Sequence, residues 1–254
     1  MNILVSNDDG INSKSLHALV KRLSEIGDVY VVAPDCERSA NSHHFTFKGR
    51  MRIEEKSVEG AKKAYALWGT PCDCIHAGLQ FIVKEKIDLI VSGINKGWNV
   101  SSDIIYSGTI AAAREGFMDG VRSIAFSLDN YEDCEYEVAA DIAKEITEKY
   151  ISEPYTGNYF LNVNIPDCPK EEIKGIKVCG TSGKIHYDEN YSLEEEFGVY
   201  YVKLGATTET YLFDEDNLDI DCNCVNQKYI AISPLYNNHI NSQYLNELKE
   251  KWER

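Results

Sequence analysis

The feature that most constrains this chain is the alternation, over its first 130 residues, of short uninterrupted apolar runs with helical patterns. Ile3-Leu4-Val5-Ser6, Val29-Tyr30-Val31-Val32-Ala33, Asp88-Leu89-Ile90-Val91-Ser92 and residues 123–128 read as strands apolar on both faces, and residues 64–68 add another. Between them, Leu16, Leu19, Val20, Leu23 and Ile26 recur at three- and four-residue steps, the mark of one helix face. Cys74, Ile75, Gly78, Ile82 and Val83 suggest a second helix, and the Ala-rich residues 109–118 a third. A strand with no polar face must be covered on both sides, which places helices above and below a mainly parallel sheet. Right-handed crossovers then make the arrangement an α/β fold of Rossmann-like, doubly wound type.

Beyond about residue 130 the character changes. Val138, Ile142, Ile146 and Tyr150 mark a further helix, and residues 160–165, 175–179 and 229–233 read as completing strands. Residues 181–196 are acidic and turn-rich, while 199–204 suit one arm of an extended β-hairpin. Ile240, Tyr244, Leu248 and Trp252 share a face of a C-terminal helix. No internal repeat or linker separates these pieces. The expectation is one domain over 1–254, with a core at 1–130 and a projecting arm at about 181–226.

Charge narrows the function. With 26 Lys and Arg against 41 Asp and Glu, the net charge is −15, which argues against nucleic acid as a partner because no basic stripe exists to meet a phosphate backbone. A small anionic substrate is compatible only if a cation or local backbone donors neutralise it. Asp8 and Asp9 interrupt the apolar start before a signal-peptide core of about 7–15 residues forms. No apolar run reaches the roughly 18 residues of a membrane span. The expectation is a cytoplasmic protein without membrane attachment. The eight cysteines are scattered, with Cys72/Cys74 and Cys222/Cys224 spaced C-x-C and no C-x-x-C. They read as reduced structural thiols, with a soft-metal site as the alternative.

In open α/β sheets ligands bind beyond the carboxyl ends of the strands. Asn7-Asp8-Asp9-Gly10, the stretch from Pro34 to Ser39, the stretch from Gly93 to Asn99, and Tyr106-Ser107-Gly108-Thr109 all stand there. Adjacent Asp8 and Asp9 are costly to hold together without a cation, although Asp-Asp-Gly is also ordinary turn chemistry. Oxygen ligands suit Mg²⁺ or Mn²⁺, and Ser39 and Asn95 offer neutral oxygens to complete such a sphere. Two carboxylates cancel a divalent charge and leave it able to attract a phosphate. Ser107, Gly108 and Thr109 open a helix whose exposed N–H groups and positive end suit phosphate, or serve only as a cap. Asn99 is a candidate side-chain donor to the same group. His43 and His44 follow Ser42 near the crevice as candidates for acid chemistry or substrate grip, or as a solvated loop. His17, His76, His186 and His239 show no ligand spacing. No P-loop, G-x-G-x-x-G or G-x-S-x-G motif occurs, which argues against P-loop nucleotide hydrolysis, dinucleotide oxidoreduction and serine esterase chemistry.

Taken together, Ser-Asn-Asp-Asp-Gly-Ile (6–11), Ala-Pro-Asp-x-x-Arg-Ser (33–39), Gly-Thr-Pro-x-Asp-Cys (69–74), Ser-Gly-Ile-Asn-x-Gly-x-Asn (92–99) and Tyr-Ser-Gly-Thr-x-Ala-Ala (106–112) resemble the SurE family of survival-protein 5′-nucleotidases. Asp221-x-x-Cys224-Val225 and residues 229–235 resemble later elements of that family. The resemblance implies a metal-dependent phosphomonoesterase acting on nucleoside 5′-monophosphates, and also on 3′-monophosphates and short polyphosphate. It implies metal ligation by Asp8, Asp9, Ser39 and Asn95, with one Mg²⁺ or Mn²⁺ per subunit. Catalysis falls to Asp8 and Asp9, and phosphate contacts fall to Asn99, Ser107, Gly108 and Thr109. It also implies homodimers or homotetramers built by exchange of C-terminal segments. Three positions depart from the family pattern, since Ala40, Ser101 and Lys228 stand where glycine is usual. A nucleotide-binding regulatory protein without turnover is the rival reading.

Overall fold

Alternate residues of each central strand feed opposite layers, as a period of two requires. The computed structural model describes residues 1–132, 134–181, 185–211 and 216–237, together with Lys249 and Lys251. β1 (Asn2–Ser6) sends Ile3 and Val5 to one side of the sheet and Leu4 to the other. α1 (Lys14–Leu23), capped by the Ser13 hydroxyl, covers the first side with Leu16, Leu19, Val20 and Leu23. β2 (Asp28–Pro34) repeats the division, with Val29 and Val31 on one side and Tyr30 and Val32 on the other.

β3 (Ile53–Lys56) and β4 (Ala61–Leu67) extend this flank, and α2 (Pro71–Ala77) follows behind a capping box formed by Thr70 and Asp73. One π-turn (Gly78–Ile82) continues α2, so the helix expected around residues 74–83 divides in two. The chain then crosses to the far side of β1 as β5 (Leu89–Lys96), α3 (Gly108–Met118) and β6 (Arg122–Asp129). α4 (Glu137–Ser152), β7 (Phe160–Pro166), β8 (Ile176–Val178), β9 (Ile185–Glu196), β10 (Val199–Tyr211), α5 (Asp221–Asn226) and β11 (Ile230–Leu235) complete it.

The main sheet has nine strands in the order β3-β4-β2-β1-β5-β6-β7-β11-β8. The pairs from β4 through β7 are parallel; β3 and β11 each run antiparallel to their inner neighbours, and β8 pairs parallel with β11. α1 and α4 cover one face and α2 and α3 the other, as the sequence pattern predicts. The chain leaves β1 first toward β2 and later toward β5, which makes the β1/β5 boundary the topological switch point.

Two expectations need correction. Residues 185–196 are not turn-rich: they form β9, which pairs with β10 in a separate two-stranded sheet. Phe197 and Gly198, both at positive φ, close that hairpin in a two-residue turn. The projecting segment is also shorter than 181–226, because α5 is buried: Cys222, Cys224 and Val225 pack with Trp98, Val100 and Ala231. The C-terminal helix expected from Ile240 to Trp252 lies outside the described residues, apart from Lys249 and Lys251. Among the described residues no disulfide joins the cysteines, and no helix is long and apolar enough to cross a membrane.

Candidate active site

The turn after β1 is built by Asn7, not by the aspartates. Buried Asn7 donates from Nδ2 to the Gly10 carbonyl (3.1 Å) and to Ser13 Oγ (2.8 Å), and its Oδ1 accepts from Gly10 N (3.2 Å). Gly10 sits at φ +96°, and a Cβ there would come within 3.0 Å of the Cys36 backbone. The turn chemistry is thus satisfied without Asp8 and Asp9, whose carboxylates are left for another purpose. Arg38 N donates to the Asp8 carbonyl at 2.7 Å and ties the 35–39 loop to this turn.

Asp8 is buried and faces the start of α3. Its Oδ1 accepts from Thr109 Oγ1 at 2.5 Å and its Oδ2 from Thr109 N at 3.1 Å. Burial pushes its pKa up, and the Thr109 hydrogen bonds partly oppose that rise. The approach is close enough that a Cβ on Gly108 would stand 2.9 Å from both Cβ and Oδ2 of Asp8. Glycine is needed at this point so that the helix end can meet the carboxylate.

Asp9 is different. Its Oδ2 is buried and, among the described residues, has no hydrogen-bond partner. Burial, then the neighbouring Asp8 charge, raise its pKa to about 7, against a backbone N–H donated by Lys96. An orphaned carboxylate oxygen beside a second buried carboxylate is what a hard cation would satisfy.

Asn95 reaches the same place through a bulge. Ser92 pairs with Ala125 but Asn95 with Ser127, so β5 carries one residue more than β6. The bulge contains Gly93, at φ +122°, where a Cβ would collide with the Phe126 carbonyl. The Asn95 amide nitrogen donates to the Lys96 (3.1 Å) and Gly97 (2.7 Å) carbonyls, which turns Oδ1 toward Thr109 Oγ1 at 3.4 Å. A carbonyl oxygen so directed is a suitable neutral ligand beside Asp8.

The remaining sequence candidates are placed less simply. Ser39 is exposed and donates its hydroxyl to Glu37 Oε1 at 2.8 Å, not to either aspartate. Asn99 is buried: its Nδ2 donates to Ser127 Oγ (2.8 Å), and its backbone N–H to Asn164 Oδ1 (2.7 Å). Ser107 is the N-cap of α3, accepting from Ile110 N at 3.1 Å. Asp8, Asn95, Gly108 and Thr109 therefore meet directly, whereas the side chains of Ser39 and Asn99 are engaged by partners of their own. Sequence reasoning missed that both donors of Thr109 serve Asp8. It also missed Glu115 on α3, whose carboxylate meets His43 Nε2 at 2.8 Å.

Fold and site together define a doubly wound α/β protein with two adjacent carboxylates at its switch point, backed by a helix N-terminus. Comparison with known proteins gives the particular family. The model of the family described as survival protein SurE matches residues 3–188. Proteins named 5′-nucleotidase SurE are similar along the whole chain: the one from Clostridium botulinum (strain Alaska E43 / Type E3) is 37% identical, with 100% of both chains covered. That from Kosmotoga olearia is 37% identical, covering 100% of this chain and 99% of its own. The crystal structure of SurE protein from Aquifex aeolicus superposes with a TM-score of 0.85 at 34% identity, covering 99% of each chain. The chain belongs to the SurE family.

Proposed function

We propose that this chain is a 5′-nucleotidase that hydrolyses nucleoside 5′-monophosphates to nucleoside and phosphate, with 3′-monophosphates and short polyphosphate as further substrates. The observation that carries the metal-dependent part of this reading is the unpartnered Asp9 Oδ2 beside buried Asp8. These carboxylates, with the inward-turned Asn95 oxygen, would hold one Mg²⁺ or Mn²⁺, and Ser39 would join after its hydroxyl leaves Glu37. Bound there, the cation supplies charge withdrawal from the phosphoryl oxygens and a water acidified toward neutral pH.

The chain's own residues do the rest. Thr109 fixes Asp8 through two hydrogen bonds, and Asp8 or Asp9 would take the proton of the attacking water on a carboxylate oxygen that the cation leaves free. Asn99, Ser107, Gly108 and Thr109 would grip the phosphate in line for displacement. As the water oxygen bonds to phosphorus, the ester P–O bond breaks and the leaving alkoxide collects a proton to become the nucleoside hydroxyl.

The hairpin supports a homodimer or homotetramer. A two-stranded ribbon is marginal alone, and this one exposes Tyr191, Leu193, Val199, Tyr200 and Val202. Phosphate release from a nucleotide and polyphosphate panel with Mg²⁺ or Mn²⁺, with and without EDTA, tests the activity. Metal-dependent release from monophosphates is the expected result. Tight nucleotide binding with no phosphate released would instead identify a nucleotide-sensing protein. Hydrolysis of a substrate made isotopically chiral at phosphorus separates the routes, since one direct displacement by water inverts the configuration and an aspartyl-phosphate route, with two displacements, retains it.

A further inference from the structure

Two helical turns along α3 from Gly108, or ~10 Å at 1.5 Å per residue, the chain assembles a second set of metal-ligating groups of different chemistry. Glu115 is largely buried, its side chain 12% exposed, and its ion-pair partners among the described residues are two imidazoles. One oxygen meets His43 Nε2 at 2.8 Å and the other lies 3.7 Å from His76 Nδ1. Cys72 adds a fully buried thiol. The ligand atoms of His43, Cys72 and Glu115 all lie within 4.8 Å of one another.

Three separate elements contribute. His43 comes from the segment that follows Ser39, Cys72 from α2 and Glu115 from α3. Cys72 and His76 stand four residues apart on α2, the spacing that puts two side chains on one helix face. His76 thus stands on the same helix face as Cys72, with its Nδ1 3.7 Å from Glu115.

We propose that His43, Cys72 and Glu115 form a second cation site, selective for a borderline transition-metal dication such as Zn²⁺. The donor set is one nitrogen, one sulfur and one carboxylate oxygen, which suits Zn²⁺ and not the hard cations that the all-oxygen Asp8/Asp9/Asn95 set favours. Charge is balanced: a thiolate and a carboxylate cancel the dication, and the imidazole adds none. Burial and the nearby Glu115 charge keep Cys72 protonated in the metal-free protein, so binding releases its proton to solvent.

The site would act as a clamp. The segment 39–46 crosses the starts of α2 and α3, where Ser42 N and Oγ donate to the Tyr106 and Ile105 carbonyls, both at 2.8 Å. Thr70 Oγ1 donates to the His44 carbonyl at 2.6 Å, and Thr46 donates twice to Asp73 at 2.8 Å. A cation bridging His43 to both helices fixes that segment, and with it the approach of Ser39 to the crevice.

Titration of the reduced full-length protein with Co²⁺, read by absorption, tests the assignment independently of activity. The expected result is a sulfur-to-cobalt charge-transfer band that saturates at one equivalent and is abolished by Zn²⁺. Cys72→Ser should remove the band. His43→Gln, a change on a half-exposed loop, should weaken Co²⁺ binding by at least about 10-fold, the lower bound seen for loss of even an outer-shell partner. Asp9→Asn should leave the band intact, since the oxygen-only site gives none. No band in the folded wild-type protein, a band that survives Cys72→Ser, or wild-type affinity in His43→Gln would overturn the proposal.

Discussion

Lys228 occupies a backbone conformation that a lysine adopts only at a cost, and replacing it should stabilise the protein by a calculable amount. It lies just past α5 at φ +65°, in the left-handed region. Its N–H donates to the Val225 carbonyl and that of Tyr229 to the Cys224 carbonyl, both at 2.8 Å, the paired bonds of a Schellman motif. The residue at this position in such a motif is usually glycine, because a Cβ in the left-handed well costs roughly 1–2 kcal/mol. Glycine returns about 0.4–1 kcal/mol of that through the greater freedom of its unfolded chain. The net gain for Lys228→Gly is about 1 kcal/mol. Against it stands the loss of an ion pair with Glu172, half-exposed on both sides and worth about 0–1 kcal/mol. Lys228→Ala supplies the control, since it loses the ion pair and keeps the strain. The glycine variant should therefore melt about 2–4 °C above the alanine variant, the shift expected of about 1 kcal/mol in a chain of this size. Thermal unfolding of the three proteins at one concentration and one metal condition measures this. A glycine variant that melts at or below the alanine variant would refute the argument from backbone strain.

Asp9, raised to about 7 by burial and by Asp8, favours its protonated form in the fold. Metal-free protein should hold this stabilisation at about pH 4 and lose it as pH rises through 7, by no more than about 4 kcal/mol at about 1.4 kcal/mol per pH unit. Asp9→Asn should flatten that slope in denaturant midpoints across this range while abolishing phosphate release; retained turnover counts against the site. Thr109→Val removes the hydroxyl that holds Asp8 Oδ1 and keeps the backbone donor. The Mn²⁺ concentration for half-maximal activity should rise about 10–100-fold with the fold intact, and an unchanged Mn²⁺ requirement would show that Asp8 is oriented by other means.

The centre of the sheet was legible because strands buried on both faces must be continuously apolar. Its margins obey other rules. β3 reads Ile-Glu-Glu-Lys and lies at an exposed edge, where no core demands an apolar pattern. β9 places Ile185, Tyr187, Tyr191 and Leu193 on alternate positions, but Asp188, Glu189 and the closing Glu194-Glu195-Glu196 give it the acidic look of a loop until β10 pairs with it. Asp8 and Asp9 stood out by adjacency alone, but their unequal environments did not, because the partner of Asp8 is Thr109, more than a hundred residues away. His76 shows no spacing to another histidine, whereas its four-residue step from Cys72 is visible once thiols are counted as ligands. The three non-glycine departures from the family pattern acquire one explanation: Ala40, Ser101 and Lys228 all have positive φ, at 56°, 49° and 65°. Family glycine at these places answers to backbone conformation, and the substitutions carry strain whether or not they touch substrate.

The start of α3 is already engaged, and this sets the order in which ligands should bind. A free helix N-terminus attracts phosphate by about 0.3–1 kcal/mol, up to about 2 in partly buried geometry. Here the backbone N–H and hydroxyl of Thr109 both point at Asp8, so that attraction is shared with a resident carboxylate. Opposing it, each pair of unit charges separated by ~5 Å at an effective dielectric of ~20 repels by about 3 kcal/mol. A phosphate dianion near one ionised aspartate meets roughly twice that, several times what the helix end returns. Neutralisation of Asp8 and Asp9 must therefore precede phosphate binding. Calorimetric titration with inorganic phosphate at pH 8 should show binding with Mn²⁺ present and none after EDTA treatment. Comparable phosphate affinity without a divalent cation would mean that backbone donors suffice, and the charge argument behind the proposed chemistry would fail.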